Sequence, residues 1–134
     1  MSKARAQLNS EIADIVNRSE EGILAGKQLT PENADYIQQY TGDGGLKGAE
    51  TRGTLYEYYT PMPIVQAMWA LAYKYGFKSG RILEPSCGVG RFLKYVDPTN
   101  NTVDAFEYSK DNKVSFLIAK ACYPWANITN NFFE

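Results

Sequence analysis

Two acidic residues on either side of a glycine turn carry most of the chemistry that the sequence suggests. Glu84 opens the segment Glu84-Pro85-Ser86-Cys87-Gly88-Val89-Gly90, and Glu107 ends the next apolar stretch. A glycine turn between a strand and a helix lets a ligand lie against bare backbone near the helix N-terminus. The alternative is a glycine turn that serves packing alone, with two exposed acids.

The residues around this turn favour a nucleoside that carries an ammonium group. A dinucleotide site would have a third glycine where Leu93 stands, and the Gly-Lys-Ser/Thr of a phosphate loop does not occur. A carboxylate at Glu84 would repel phosphate and attract an ammonium, as in S-adenosylmethionine. Glu107 is expected to accept hydrogen bonds from two ribose hydroxyls at a topological switch point of the sheet. Tyr108 is expected to pack its aromatic ring against adenine.

The elements that position these residues predict an α/β fold with three parallel strands in βαβαβ order. Strands are expected over 81–84, 103–107 and 127–129. One helix is expected to begin near Gly90, burying Phe92, Leu93 and Val96. A second is expected to begin with Ser109 as N-cap and Asp111 in its first turn, and to bury Val114 and Ile118. An earlier helix begins at Pro61 and Pro63, ends at Gly76 and is expected to bury Ile64, Met68, Leu71, Ala72 and Tyr75.

The first part of the chain predicts a helical segment over residues 1–52. Apolar residues at helical spacing, bounded by Gly22 and Gly26, form one stripe, namely Leu8, Ile12, Ile15, Val16 and Ile23. Thr30 and Pro31 predict the capped start of a short helix that offers Tyr36, Ile37 and Tyr40 to a core. Residues 42–53 form the expected linker, which places the α/β part at 53–134.

Composition excludes several classes of protein. The chain has 134 residues, 44% of them apolar, with 14 basic against 15 acidic residues and no histidine. Histidine-based triads and metal sites are therefore excluded, and two cysteines cannot form a four-thiolate zinc site. The near-neutral charge offers no basic field for nucleic acid. The longest apolar run, 67–73, is too short to span a bilayer, and no signal-peptide core is present, so a cytoplasmic location is expected.

Two motifs together resemble the S-adenosylmethionine-dependent DNA adenine methyltransferases. The motifs are Tyr58-Tyr59-Thr60-Pro61 and the stretch from Ile82 to Leu93 around the glycine turn. The pattern is similar to type I restriction-modification methylase subunits. It is closer to the methylase segment of helicase–methylase proteins of phages and conjugative elements. Asp43 departs from the aromatic residue usual in that group.

The resemblance implies a partial Rossmann-like methyltransferase fold and a set of cofactor contacts. In it, Thr60 and Pro61 would touch the methionine end, Glu84 would face the ammonium and Glu107 would hold the ribose. Asn131 would meet the adenine edge where the family has aspartate. The full implied cofactor-binding set is Tyr59, Thr60, Pro61, Glu84, Pro85, Ser86, Cys87, Gly88, Gly90, Phe92, Glu107, Tyr108, Asn131 and Phe132. Apart from the resemblance, Cys87 is expected to be a small buried hydrophobe rather than a nucleophile.

One motif of the methyltransferases that activity requires is missing from this sequence. Amino-methyltransferases of this type present an Asp/Asn-Pro-Pro-aromatic loop after the fourth strand, and no such tetrapeptide occurs before the sequence stops at Glu134. We therefore expect the cofactor-binding portion of a DNA adenine methyltransferase, truncated before its catalytic loop and inactive alone, with no catalytic residue of its own. DNA would be reached through missing sequence or a partner chain.

Two other functions remain open from the sequence. The first is a non-catalytic module that retains the fold for assembly, cofactor sensing or interference with restriction. The second is a nicotinamide-dependent oxidoreductase, against which Glu84 and the missing third glycine argue. Without a fourth strand the strand over 81–84 would have an unpaired edge, which proteins rarely leave open. Self-association, a partner chain or cover from the N-terminal helices is therefore expected.

Overall fold

The computed structural model describes residues 3–18, 29–42, 59–108 and 113–133. The chain divides into two compact units, Met1–Tyr59 and Thr60–Glu134, which are described separately. The boundary predicted between residues 52 and 53, and the predicted linker beyond Gly42, lie outside the described residues. Within the described part of the chain, no helix is both long and apolar enough to cross a membrane.

The N-terminal unit contains helices α1 (Lys3–Asn17) and α2 (Pro31–Ile37). The predicted stripe on α1 is confirmed at Ile12 and Val16, which are fully buried. Its predicted bounds Gly22 and Gly26, and Ile23 with them, lie outside the described residues.

The start of α2 and its contribution to the core are as predicted. The Thr30 hydroxyl accepts a hydrogen bond from the backbone N–H of Asn33 (3.2 Å), and Pro31 occupies the first helical turn. Ile37 and Tyr40 are buried, whereas Tyr36 is half-buried.

A buried asparagine on α1 adds a polar contact that hydrophobic spacing could not predict. The Asn9 side-chain amide donates to the Thr41 hydroxyl (2.9 Å) and to the Gly42 carbonyl (2.7 Å). Its oxygen accepts from the Thr41 backbone N–H (3.1 Å). Because buried polar atoms are costly unless they are hydrogen-bonded, these bonds fix the segment after α2 against α1.

The C-terminal unit begins with α3 (Met62–Lys74), whose predicted buried face is wrong. Ile64, Met68 and Leu71 are 50–52% exposed and Tyr75 is 79% exposed, whereas Val65 is fully buried.

Two aromatic side chains explain this orientation of α3. The Trp69 indole N–H donates to the Phe92 carbonyl (2.7 Å), and the Tyr73 hydroxyl donates to the Tyr95 carbonyl (3.1 Å). These bonds hold the side of α3 that carries Val65 and Trp69 against the core, whereas Tyr73 itself is 43% exposed.

The strands of the C-terminal unit form the predicted parallel sheet. Strands β1 (Gly80–Glu84), β2 (Asn101–Phe106) and β3 (Asn127–Thr129) lie in the order β1-β2-β3, and both pairs are parallel. Ile82 aligns with Val103, and Ala105 with Ile128. These side chains share one face with the buried core, which α4 (Val114–Cys122) joins through Ala119. The α/β class and the three parallel strands are therefore confirmed.

The connection from β1 to β2 differs from the predicted helix. It contains one turn of 3-10 helix, η1 (Arg91–Leu93), followed by turns. Pro98 disfavours helical backbone at Asp97, whose carboxylate instead accepts bonds from the Thr99 N–H (2.9 Å) and the Asn100 amide (2.6 Å). These bonds lower the pKa of Asp97. Leu93 and Val96 are buried as predicted, but Phe92 is only half-buried.

The helix α4 buries the residues expected of it but begins later than predicted. It starts at Val114, which is fully buried together with Ile118. The predicted cap Ser109 and the first-turn Asp111 lie outside the described residues.

Among the described residues, the opposite face of the sheet carries polar side chains together with Leu83 and Phe106, whose ring packs against Phe133. Arg81 forms an ion pair with Asp104 (2.8 Å between Nε and Oδ2), and Asn127 donates to the other oxygen of Asp104 (3.3 Å). The pKa of Asp104 is lowered, first by the hydrogen bond from Arg81. Leu83 lies on this face and is 52% exposed.

Candidate functional site

The glycine turn, residues 84–90, is joined to the ends of β2 and β3 by backbone and carboxylate bonds. The Cys87 N–H donates to the Phe106 carbonyl (2.9 Å), and the Gly88 N–H donates to Oε2 of Glu107 (2.8 Å). The Glu107 N–H donates in turn to the Thr129 carbonyl (3.0 Å). The carboxyl ends of all three parallel strands therefore meet around Glu107, at the edge where α/β proteins place their ligands.

The second acid of the pair folds back on its own turn. Oε1 of Glu84 accepts a hydrogen bond from the Ser86 N–H (3.0 Å). Desolvation by burial raises the pKa of the Glu84 carboxyl, and the bond from Ser86 partly opposes this. A desolvated carboxylate is stabilised by a nearby cation, so a ligand with an ammonium group would suit this position.

The thiol of Cys87 lies close to both acids and is unfit for nucleophilic chemistry. The residue is buried, and its pKa is raised to about 12, first by desolvation and then by the charges of Glu107 and Glu84. The thiolate is the reactive form of cysteine, and at neutral pH this thiol stays protonated. The expectation that Cys87 serves as a small buried hydrophobe is in line with this environment.

Packing explains why a glycine occupies position 90. Gly90 has φ of +88°, and a Cβ atom there would lie 2.8 Å from the ring of Tyr123. Substitution would therefore displace an aromatic ring that packs in the core. The packing alternative accounts for glycine at position 90, and ligand approach there stays a prediction. Gly88 is buried, with its N–H bonded to Glu107.

Two aromatic rings meet beside the glycine turn. Tyr108 and Phe132 stack with ring centroids 4.0 Å apart and an interplanar angle of 27°. The Asn131 side-chain oxygen accepts from the Phe132 N–H (2.8 Å). A flat ligand between the rings would require roughly 7 Å, two layers of carbon contact, so adenine would have to lie on an outer face of the pair or separate the rings.

The Thr60-Pro61 motif is held at the start of α3. The guanidinium of Arg91 donates to the Thr60 carbonyl (3.2 Å), and the Pro61 carbonyl accepts from the N–H of Ile64 (3.0 Å). Sequence reasoning missed Arg91, although its position directly after the glycine turn is a signal that it could reach a neighbouring segment. The predicted cofactor contacts of Tyr59, Thr60, Pro61 and Phe92 stay predictions.

The structure thus connects some predicted site residues and leaves others apart. Hydrogen bonds or charge effects link five of them, namely Glu84, Ser86, Cys87, Gly88 and Glu107. A separate aromatic group consists of Tyr108, Asn131 and Phe132. Pro85 is exposed in the turn. This arrangement offers acceptors and ring faces for binding.

Comparison with known proteins gives one informative match. The chain is 32% identical over 132 residues to defense against restriction protein B of Escherichia phage P1. The match covers 98% of this chain but only 5% of the phage protein, so the chain spans a small part of that relative's length. No protein-family model matches the sequence, and no solved structure matches it.

This match corrects the identification of the chain as a DNA adenine methyltransferase. The relative that aligns with almost the whole chain is named for defence against restriction, not for methyl transfer. The predictions of a methyltransferase portion, of DNA methylation and of the associated transferase role are therefore wrong. Glu107, Glu84 and Gly90 each have structural contacts, so the motif by itself does not distinguish a methyltransferase from another α/β protein.

The raised pKa of the Cys87 thiol predicts a pH-dependent contribution to stability. The folded chain retains this proton above the ordinary pKa of 9.0, where the unfolded chain releases it. The stabilising contribution is therefore complete below that value and is lost as pH rises toward 12. The slope attributable to this group approaches about 1.4 kcal/mol per pH unit.

Urea unfolding of the wild type and of Cys87→Ala between about pH 8 and about pH 10 measures this slope, because other titrating groups cancel in the difference. We expect the wild-type free energy of unfolding to fall more steeply with pH than that of the variant. Parallel curves would contradict the assignment.

Proposed function

We propose that this chain is a non-catalytic α/β module, with a Rossmann-like sheet, that takes part in interference with restriction. The similarity to defense against restriction protein B across 98% of the chain is the observation that carries the proposal. Interference with restriction is also one of the alternatives left open by the sequence. We place this action in the cytoplasm, where incoming DNA meets restriction enzymes.

The chemistry of the candidate site supports a role in binding rather than catalysis. The Cys87 thiol is protonated at neutral pH, and the Glu107 carboxylate is engaged by the backbone of the glycine turn. The C-terminal unit also exposes Arg81 and Leu83 on β1 and apolar side chains on one side of α3. A module of this kind acts by binding other molecules.

Plating of unmodified phage on a restricting bacterial strain tests the proposed function. We expect cells that express the chain to be infected more efficiently than cells with empty vector, with no difference on a strain that lacks restriction. Ile118→Asp, which places a charge at a fully buried position, should abolish the effect by unfolding. Lys120→Gln, an exposed change on the same helix, should preserve it.

Equal plating of the folded wild-type chain and empty vector on the restricting strain would refute the proposal. Circular dichroism of the purified chain establishes that it is folded in this comparison.

We further propose that the carboxyl edge of the sheet binds S-adenosylmethionine and that the chain senses this ligand without transferring its methyl group. Three features fit this ligand. Glu84 is a desolvated acid suited to the ammonium, Glu107 lies where a ribose would need an acceptor, and the outer faces of Tyr108 and Phe132 can stack adenine. The closed ring stack does not admit adenine between its members without rearrangement.

Isothermal titration calorimetry tests this binding. We expect S-adenosylmethionine to bind and a nicotinamide dinucleotide not to bind, because phosphate is repelled by the acids. Glu84→Gln removes the charge that faces the ammonium and should weaken binding roughly tenfold, the effect of losing one charge-assisted bond. Glu32→Gln, an exposed acid on α2, is the matched control and should bind as the wild type does.

Absence of heat at millimolar ligand, or equal binding by Glu84→Gln and the wild type, would reject the cofactor proposal. Interference with restriction would be unaffected by that result, since it rests on the phage relative.

A further inference from the structure

One flank of the C-terminal unit presents an open strand edge. Among the described residues β1 pairs with β2 only, and it therefore ends the sheet. Arg81 and Leu83 on this strand are exposed. An edge strand carries a row of backbone donors and acceptors that can pair with another strand, and natural proteins rarely leave such an edge uncovered.

The helix α3 presents an unburied apolar surface. The α3 stripe, which we define as Ile64, Met68 and Leu71 on the helix and Tyr75 directly after it, is at least 50% exposed at each of these residues. At 100° per residue its centre lies about 130° around the helix from Trp69, which bonds to η1. The stripe therefore faces away from η1. Among the described elements α3 contacts η1, which follows β1, whereas α4 contacts β3. We infer from these contacts that α3 lies on the β1 side of the C-terminal unit.

We propose that this flank is the interface of a symmetric homodimer, in which β1 pairs antiparallel with β1 of a second copy and the two α3 stripes pack together. A two-fold axis perpendicular to the sheet joins the two edges and keeps both helix layers on the same face. The strand edge and the apolar stripe are then covered in one step. This inference goes beyond the proposed function and does not depend on it.

The sequence of β1 selects one register for this pairing. A perpendicular two-fold axis brings together residues whose side chains share a face, so Ile82 can lie opposite Ile82 of the second copy. Arg81 then lies opposite the exposed Leu83, which its aliphatic stem can cover. Glu84 lies opposite Gly80. No like charges are opposed.

Neighbouring registers are less favourable. Moving the axis to Arg81 sets two guanidinium groups against each other, and moving it to Leu83 sets Ile82 opposite the carboxylate of Glu84. Like charges directly opposite across strands are destabilising. The net charge of −1 adds little repulsion between copies. A second copy is therefore the occupant that the charges and apolar residues of this flank fit.

Sedimentation velocity over a range of concentrations tests the dimer. We expect a reversible monomer–dimer equilibrium in the wild type. Leu83→Lys on the edge and Met68→Glu on the α3 stripe should each weaken association at least roughly tenfold, because each places a charge in an apolar contact. Phe133→Lys, at an equally exposed position at the other end of the sheet, is the matched control and should dimerise normally.

Disulfide trapping tests the register in a Cys122→Ser background. Buried Cys87, with its raised pKa, should not compete for oxidation. We expect a covalent dimer when Arg81→Cys and Leu83→Cys chains are mixed, since these positions face each other, and little dimer from either chain alone.

A chain that stays monomeric at every concentration would overturn the proposal, whether the edge is then covered by the N-terminal unit or by another protein. So would a dimer that Leu83→Lys and Met68→Glu leave intact, since it would use another surface. Cross-linking of Arg81→Cys with itself, at the level of the mixture, would overturn the register.

Discussion

Glu107 connects the three strand ends of the C-terminal unit through its carboxylate and its backbone. Its Oε2 atom accepts a hydrogen bond from the Gly88 N–H (2.8 Å), and its backbone N–H donates to the Thr129 carbonyl (3.0 Å). The turn after β1, the end of β2 and the end of β3 therefore meet at one residue. A buried N–H without an acceptor costs about 1–3 kcal/mol, and Gly88 is buried, so the conformation of the glycine turn depends on this bond.

Burial is the main reason why the Cys87 thiol stays protonated at neutral pH. The charge of Glu107, which the bond from Gly88 holds in place, and the charge of Glu84 add to this effect. An acid that braces a turn and a glycine that admits the Tyr123 ring are structural features. The proposed role in interference with restriction rests on exposed surfaces of the C-terminal unit.

The order of strand and helix patterns along the chain predicted the parallel sheet, and the Thr30-Pro31 pair predicted the capped start of α2. It failed on α3, since both sides of that helix are apolar and only the bonds of Trp69 and Tyr73 select the buried one. The role of Glu107 was also ambiguous. A carboxylate at this position can accept hydrogen bonds from the hydroxyls of a ribose or from the backbone N–H groups of the glycine turn. Local sequence does not distinguish these two roles.

Hydrogen exchange at the Gly88 amide tests the central claim most directly. If the Glu107 carboxylate braces the turn, the amide exchanges slowly in the wild type, and Glu107→Ala lowers its protection on the order of tenfold or more. Glu84→Ala, which removes the acid that bonds Ser86 instead, should leave the Gly88 amide protected. Equal protection of Gly88 in the wild type and in Glu107→Ala would contradict the account.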